Sequence, residues 1–166
     1  MNPVKILFSR LDSPVGELLL TAAQNRLLGV YWEIDDSRIQ RLTDDPCYCE
    51  GRDNFLDTVS TQLEEYFRGL RLGFDLPVAP AGTAFQQRVW QHLQAIPYGQ
   101  TRSYGEIAVQ LDKPRGARAV GAAIGRNPIA IIIPCHRVVG RGGALTGFAG
   151  GLPNKQWLLE HELRVG

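Results

Sequence analysis

The sequence predicts an α+β chain built as two small domains, and three observations carry that reading. The first 80 residues hold three short apolar runs split by turn residues, then one stretch of helical period. A Pro/Ala/Gly segment, Leu76-Pro77-Val78-Ala79-Pro80-Ala81-Gly82, has little reason to be helix or strand. Beyond it the apolar spacing is mainly helical and the charge changes sign. Residues 1–80 carry 8 Lys+Arg against 13 Asp+Glu, a balance of −5, whereas residues 81–166 carry 10 against 4, a balance of +6. The expected domains are residues 1–78, a small α+β unit with an antiparallel sheet, and residues 83–166, a mainly helical unit.

In the first domain, strands are predicted over Val4 to Leu11, Glu17 to Ala22 and Arg26 to Trp32. Ser13-Pro14-Val15-Gly16 and Gln24-Asn25 supply the turns of an antiparallel meander. Asp53 to Phe67 predicts an amphipathic helix: Phe55, Val59, Leu63, Tyr66 and Phe67 share a face, and Gly69 is a natural stop. Nothing in this half carries obvious chemistry, and its aromatic residues are expected in the core. Cys47-Tyr48-Cys49 can be half of a metal site, but no second Cys or His pair lies at zinc spacing. Two loop thiols and no metal are expected there.

In the second domain, Thr83 caps a helix through Phe85, Val89, Trp90 and Leu93, which Pro97-Tyr98-Gly99 ends. Ser103 caps a helix from Tyr104 to Leu111. Asp112-Lys113-Pro114-Arg115-Gly116 is a tight connector to a third helix, Ala117 to Gly125, which Asn127-Pro128 breaks. Two short helices joined by a Gly-containing turn in a basic half resemble a helix-turn-helix, although helix pairs of this kind are common in α-rich domains. Ile131-Ile132-Ile133 then reads as a short buried strand that must stop at Pro134, which has no N–H for a ladder.

Cys135 follows directly at that strand end, and His136 follows Cys135. A thiol so placed has a rigid support and can face a cleft. Neighbouring side chains on an extended chain point to opposite faces, so the two can meet only if the chain turns or a water bridges them. From this octapeptide alone, a nucleophile and a structural thiol stand level, because cysteines are so often buried.

The Ala117–Gly125 helix is unusual. Val120, Ala123 and Ile124 can pack inward, while Arg118, Gly121, Ala122 and Gly125 form another face at i, i+3, i+4, i+7 spacing, with Ala119 beside it. A helix that reads the major groove carries several long polar side chains, and this face has one arginine. A bare Gly/Ala face lets the backbone come close to its partner. The minor groove is about 6 Å wide and a dressed helix about 10–12 Å across, so stripping the side chains makes docking there feasible once the groove widens. A lone Arg118 is then placed to enter the base stack. Close helix–helix packing explains a Gly/Ala face equally well.

Composition bounds the rest. With 44% hydrophobic residues the chain can build a sizeable core. No run of about 18 apolar residues suggests a membrane span, and Met1-Asn2-Pro3-Val4-Lys5-Ile6 does not resemble a signal peptide. Three cysteines give no disulfide framework, so a reducing cytoplasm is expected. The charge asymmetry suggests that the second half meets a polyanion, or that the halves attract each other. A modest excess favours a small footprint with a few phosphate contacts, for which Arg102, Arg115, Arg126 and Arg141 are candidates.

Pro134-Cys135-His136-Arg137-Val138, with Gly125-Arg126-Asn127-Pro128 before it and Gly147-Phe148-Ala149-Gly150-Gly151 after it, resembles the O6-alkylguanine-DNA alkyltransferase family. Phe85-Gln86-Gln87-Arg88-Val89-Trp90 and Ala117-Arg118-Ala119-Val120-Gly121 extend the resemblance, which is dense over residues 83 to 163 and general in the first half. The length resembles the stand-alone bacterial form, without a methyl-phosphotriester domain. The resemblance implies a ribonuclease-H-like first domain that acts as support, and a winged-helix-like second domain that binds DNA and accepts the alkyl group. It implies a single-turnover repair enzyme, a methylated-DNA–protein-cysteine methyltransferase without cofactor. Its partner would be duplex DNA carrying O6-alkylguanine, with O4-alkylthymine as a further substrate. It would work in the cytoplasm at the nucleoid, as a monomer in solution with cooperative assembly on DNA as an option.

The resemblance also assigns roles. Cys135 is the alkyl acceptor, and His136 activates it through a water. Glu162 orients His136, Tyr104 donates a proton to the leaving guanine, and Asn127 holds the turn between recognition helix and active site. Arg118 is the intercalating finger on a DNA-facing surface with Ala119, Gly121, Ala122, Gly125, Arg115 and Arg141. The base pocket involves Tyr104, Phe148 and the backbone around Val138 and Ala149. Phe148 departs from the tyrosine of many members; it keeps a ring but loses a hydroxyl, which leaves the alkyl preference open.

These residue types suit that chemistry. An ether carbon on guanine O6 is a poor electrophile, so a thiolate must attack, and a free thiol with pKa about 8.5 is only a few per cent ionised near neutrality. A histidine backed by a carboxylate raises the reactive fraction. The guanine gains negative charge as it leaves, which a phenol can neutralise. Two rivals make different demands. A Cys-His hydrolase needs an oxyanion hole and turns over repeatedly. A regulatory DNA-binding protein needs base-reading side chains on the recognition helix.

Overall fold

The computed structural model describes residues 3–34 and 36–165, which form two compact units parting between Ala81 and Gly82. Met1, Asn2, Asp35 and Gly166 fall within the expected domain spans and lie outside the described residues.

The first unit is a four-stranded sheet with two helices. Strands β1 (Ile6–Leu11), β2 (Leu18–Ala23) and β3 (Arg26–Trp32) pair antiparallel in sequence, as the turn residues predict. Gln24 and Asn25 both take positive φ, 52° and 57°, at the β2–β3 turn, a conformation asparagine tolerates. Helix α1 (Asp36–Thr43) leads to a three-residue strand, β4 (Tyr48–Glu50), which pairs parallel to β1 and makes the sheet order β3-β2-β1-β4. The antiparallel meander is therefore extended into a mixed sheet. Cys49 lies in this strand rather than in the loop expected for it, because a short parallel strand takes its register from a distant partner. β2 is interior and buried along Leu18–Ala22, so both sheet faces are covered. Helix α2 (Asn54–Phe67) packs against β2, with Asp53 as its N-cap through Oδ1 and the Leu56 N–H at 2.8 Å. Ile39 and Leu42 of α1 pack with Tyr48 against Phe8, Leu19 and Tyr31. Within the Pro/Ala stretch, Val78 forms a parallel bridge to Leu27 at the sheet edge.

The second unit is mainly helical. Helices α3 (Ala84–Gln94) and α4 (Tyr104–Gln110) each begin with a capping box, Thr83 with Gln86 and Ser103 with Glu106, which satisfies two orphan donors at each end. Helix α5 (Ala117–Gly125) packs on α3 and α4, and the buried Trp90 indole N–H donates to the Ala123 carbonyl at 2.9 Å. A β-carbon at Gly82 would come within 2.4 Å of the Trp90 ring, so the chain enters α3 through a residue that only glycine can fill. Two residues of β5 (Arg102–Ser103) pair parallel with β6 (Val138–Val139), and helix α6 (Leu152–Val165) closes the unit. No described helix is long and apolar enough to cross a membrane.

The expected Ile131–Ile133 strand does not form. These residues are turns and a bend, with Ile131 at φ 69°, and a single 3-10 turn, Cys135–Arg137, follows. Ile131 and Ile133 are buried as expected, but their backbone groups are satisfied locally. Asn127 Nδ2 donates to the Ile133 carbonyl at 2.9 Å, and the Ile129 N–H donates to Asn127 Oδ1 at 3.0 Å. One amide side chain replaces the neighbouring strand that an apolar run normally requires. A positive φ at a β-branched residue is strained, and it lies four residues before Cys135.

Candidate active site

The strained turn and the 3-10 geometry place Cys135 and His136 on a tight curve instead of on opposite faces of a strand. Cys135 is 7% exposed and His136 fully buried. His136 Nε2 lies 2.6 Å from Glu162 Oε2, so this nitrogen carries the proton and donates it. Its other nitrogen, Nδ1, is buried without a hydrogen-bond partner, which leaves a lone pair for a proton to be accepted. Glu162 also accepts from Arg137 Nε at 2.8 Å, Arg137 Nη2 at 3.1 Å and the Gly99 N–H at 3.2 Å.

Glu162 reaches the site because α6 turns one stripe inward: Lys155, Leu158, His161 and Glu162 are its buried residues, at helical spacing. Lys155 is fully buried, donates to the Thr146 carbonyl at 3.2 Å, and sits 5.9 Å from the Tyr104 ring centroid and 5.7 Å from that of Phe148. Burial pushes the Cys135 thiol up from its ordinary value, while the Asn127 amide and the Lys155 charge pull it down. Burial pushes His136 down, and the charges of Arg137 and Lys155 act in the same direction against Glu162. Burial pushes Lys155 down as well. At rest the pair is therefore a neutral thiol beside a neutral imidazole. A thiol in this setting would need a base before it could act as a nucleophile, and the nearby Lys155 charge favours its thiolate.

Tyr104 opens α4 and lines a cleft of 840 Å³ with Glu106, Val109, Pro114, Ala117 and Arg141; Cys135 does not line it. Val138 is buried in β6 directly after the 3-10 turn, Phe148 is half-buried, and Ala149 is exposed in the loop before α6. Cys135, His136, Glu162 and Asn127 thus lie together in one buried region, and the Lys155 ammonium ties it to Tyr104 and Phe148.

The outer surface of α5 is a second feature of this unit, and Gly121 brings the helix against the Tyr104 ring. Arg118, Ala119, Ala122 and Gly125 are exposed, as are Arg115 and Arg126 on either side, and Arg141 after β6. Arg102 is half-buried and donates to Thr101 O at 2.8 Å. A β-carbon at Gly125 would meet nothing within 4 Å, and one at Gly121 would touch the Tyr104 ring at an ordinary 3.8 Å. Internal packing therefore does not demand either glycine, which weakens close helix packing as their explanation.

Arg137 and Lys155 escaped the sequence reading. The signals were present: Arg137 follows His136, and Lys155 precedes Glu162 by seven residues, two helical turns on one face. Among the described residues, no group of three His, Cys, Asp or Glu side chains could hold a metal ion.

Comparison with known proteins bears on both halves. Residues 6–80 match the family described as 6-O-methylguanine DNA methyltransferase, ribonuclease-like domain, and residues 84–164 match its DNA binding domain. A methylated-DNA–protein-cysteine methyltransferase of Shigella flexneri is 45% identical over 165 residues, covering 96% of each chain. One from Methanosarcina barkeri is 48% identical over 152 residues, covering 92% of this chain and 94% of the relative. The crystal structure of Mycobacterium tuberculosis OGT in complex with DNA superposes with a TM-score of 0.86 at 43% identity, covering 96% of this chain and 94% of that one.

Proposed function

The chain belongs to the 6-O-methylguanine DNA methyltransferase family, and we propose that it repairs alkylated DNA by moving the alkyl group from guanine O6 to its own Cys135. The observation that carries this reading is the buried His136–Glu162 pair directly after the buried Cys135, with Nε2 tied to the carboxylate at 2.6 Å and Nδ1 bare.

In the reaction the thiol proton passes to His136 Nδ1, through a bridging water. The sulfur attacks the alkyl carbon, a C–S bond forms, and the C–O6 bond breaks with its electron pair going to guanine. Tyr104 gives the guanine a proton, and the protons on His136 and Tyr104 re-equilibrate through solvent afterwards. Lys155 favours the thiolate as it forms. Asn127 holds the turn on which the thiol stands. The product is a thioether, whose thiolate is too poor a leaving group for the protein's amines or imidazoles to displace, so each molecule reacts once.

O6-alkylguanine is buried in a duplex, so the nucleotide must leave the stack. The bare, exposed face of α5 supports a minor-groove approach in which Arg118 fills the vacated space while Ala119, Gly121, Ala122 and Gly125 let the backbone come close. Arg115 and Arg141 would hold phosphates. Val138, Phe148 and Ala149 would hold the base, and O4-alkylthymine offers the same kind of alkyl ether. Residues 83–166 then do the chemistry while residues 1–78 support them, and the protein acts as a monomer that can assemble along DNA, in the cytoplasm.

Intact mass measured before and after mixing with a methylated duplex tests the proposal. One added methyl group per protein, mapped to the Cys135 peptide, is the expected result. Repeated turnover, or a methyl group on another residue, refutes it.

A further inference from the structure

Hydrogen bonds from Gly99, His136 and Arg137 converge on the Glu162 carboxylate. Two come from the Arg137 guanidinium, whose third nitrogen, Nη1, donates to the Ile96 carbonyl at 2.7 Å. The guanidinium is therefore held at three points, facing a carboxylate that is fully buried. A buried carboxylate with no other partner would draw a proton onto the imidazole, since unmatched charge in a low-dielectric interior is costly. Here the negative charge is already matched by a fixed cation. The charged and titratable groups around the imidazole are Cys135 and Arg137 from its own turn and Lys155 and Glu162 from α6. Tyr98, after α3, lies beside Arg137 and feels the Glu162 charge.

We propose that Arg137 is a positioning residue for alkyl transfer: by neutralising and orienting Glu162, it holds His136 as the neutral Nε2–H tautomer, whose Nδ1 lone pair can take the Cys135 proton. Its consequence for rate rests on the alkyl-transfer reading; the tautomer rests on the buried geometry alone. Without Arg137, Glu162 would still anchor the ring, but the ring would hold its own proton and could not act as base until a higher pH.

The test is the pH profile of single-turnover methyl transfer from an O6-methylguanine duplex, for the natural protein, Arg137→Gln and Arg137→Lys. Arg137→Gln moves the acid limb to higher pH by about one unit, a tenfold change in the protonation equilibrium. Arg137→Lys, which keeps the charge, recovers most of that shift. A slower Arg137→Gln with an unmoved acid limb overturns the proposal and leaves Arg137 as a structural tie. Should Arg137→Gln fail to fold, heteronuclear NMR of the His136 ring in the natural protein decides. The proposal requires a proton on Nε2 and none on Nδ1 at neutral pH, and an imidazolium or an Nδ1–H tautomer overturns it. Failure of the natural protein to take up the methyl group would strike the alkyl-transfer reading instead, and the NMR result would stand apart from it.

Discussion

The two units bury very different things. Among the described residues, the buried polar side chains of the first unit are Ser9, Thr21, Ser60 and Gln62, none of them charged. The second buries Asn127, His136, Arg137, Lys155, His161 and Glu162. Charges in the first unit stay at the surface, as in the Arg52–Asp57 pair, whose side chains are 58% and 54% exposed. Burying charge costs stability, and an apolar interior of equal volume is often as stable or more so. A chain that keeps one interior free of charge and fills the other with it concentrates that cost in the unit that holds Cys135, His136 and Glu162.

The sharpest way to break the contrast is at the sulfur. Cys135→Ala should abolish methyl transfer while binding to a methylated duplex stays near normal, because the α5 surface is untouched; gel shift and mass spectrometry together check this. Next comes a matched pair of interior changes. Glu162→Gln leaves Arg137 and His136 with a broken buried network and should cost about 3–5 kcal/mol in urea unfolding, with slower transfer in whatever remains folded. Leu63→Ala, fully buried in α2, should cost about 2–5 kcal/mol but leave the rate per folded molecule unchanged. Equal rate losses in both would erase the distinction between the interiors.

Arg118→Ala should slow repair of duplex DNA by about 10–100-fold, the scale of a few kcal/mol for unstacking a base, and barely affect reaction with a free modified base. Equal losses on both substrates would remove the wedge. A smaller effect follows from His136, whose proton affinity is lowered by burial. The unfolded chain then binds a proton that the folded chain refuses, so stability rises with pH through the window from the folded value up to about 6.5. Acidification below neutrality should destabilise the protein by at most about 1.4 kcal/mol per pH unit from this group, and His136→Gln should flatten that slope in chemical denaturation. The smallest change belongs to the first unit: Arg52→Ala should cost about 0–1 kcal/mol by the same measurement. A larger value would mean that this unit also relies on charge.

Much of this was legible without coordinates. The three antiparallel strands, α2 and the α3–α5 series follow from apolar period and turn residues, and the Thr83 and Ser103 caps from residue type. These features are local, because a helix period or a cap is satisfied within a few residues. Cys135 beside His136 was visible as a suggestive pair, and the family motifs gave it meaning. The β4 pairing was not visible, because three residues at the sheet edge carry too little pattern to reveal a parallel partner some 40 positions away. The inward stripe of α6 was hidden because two of its four members are charged and a third is histidine, so hydrophobicity does not mark the buried side.

What the sequence alone determined is the inventory: an α+β chain with a change of character near residue 80, a thiol next to an imidazole, and a basic helix stripped of side chains. What the tertiary structure decided is how those groups meet. Ile131–Ile133 had the composition of a strand, and a single amide from Asn127 made it a turn. Glu162, 26 residues from His136 along the chain, became its partner at 2.6 Å. Arg137 and Lys155 became interior cations. Such outcomes depend on which distant groups share a water-poor space, and the strength of an electrostatic contact there is set by distance and exclusion of solvent, neither of which is written in the order of the residues.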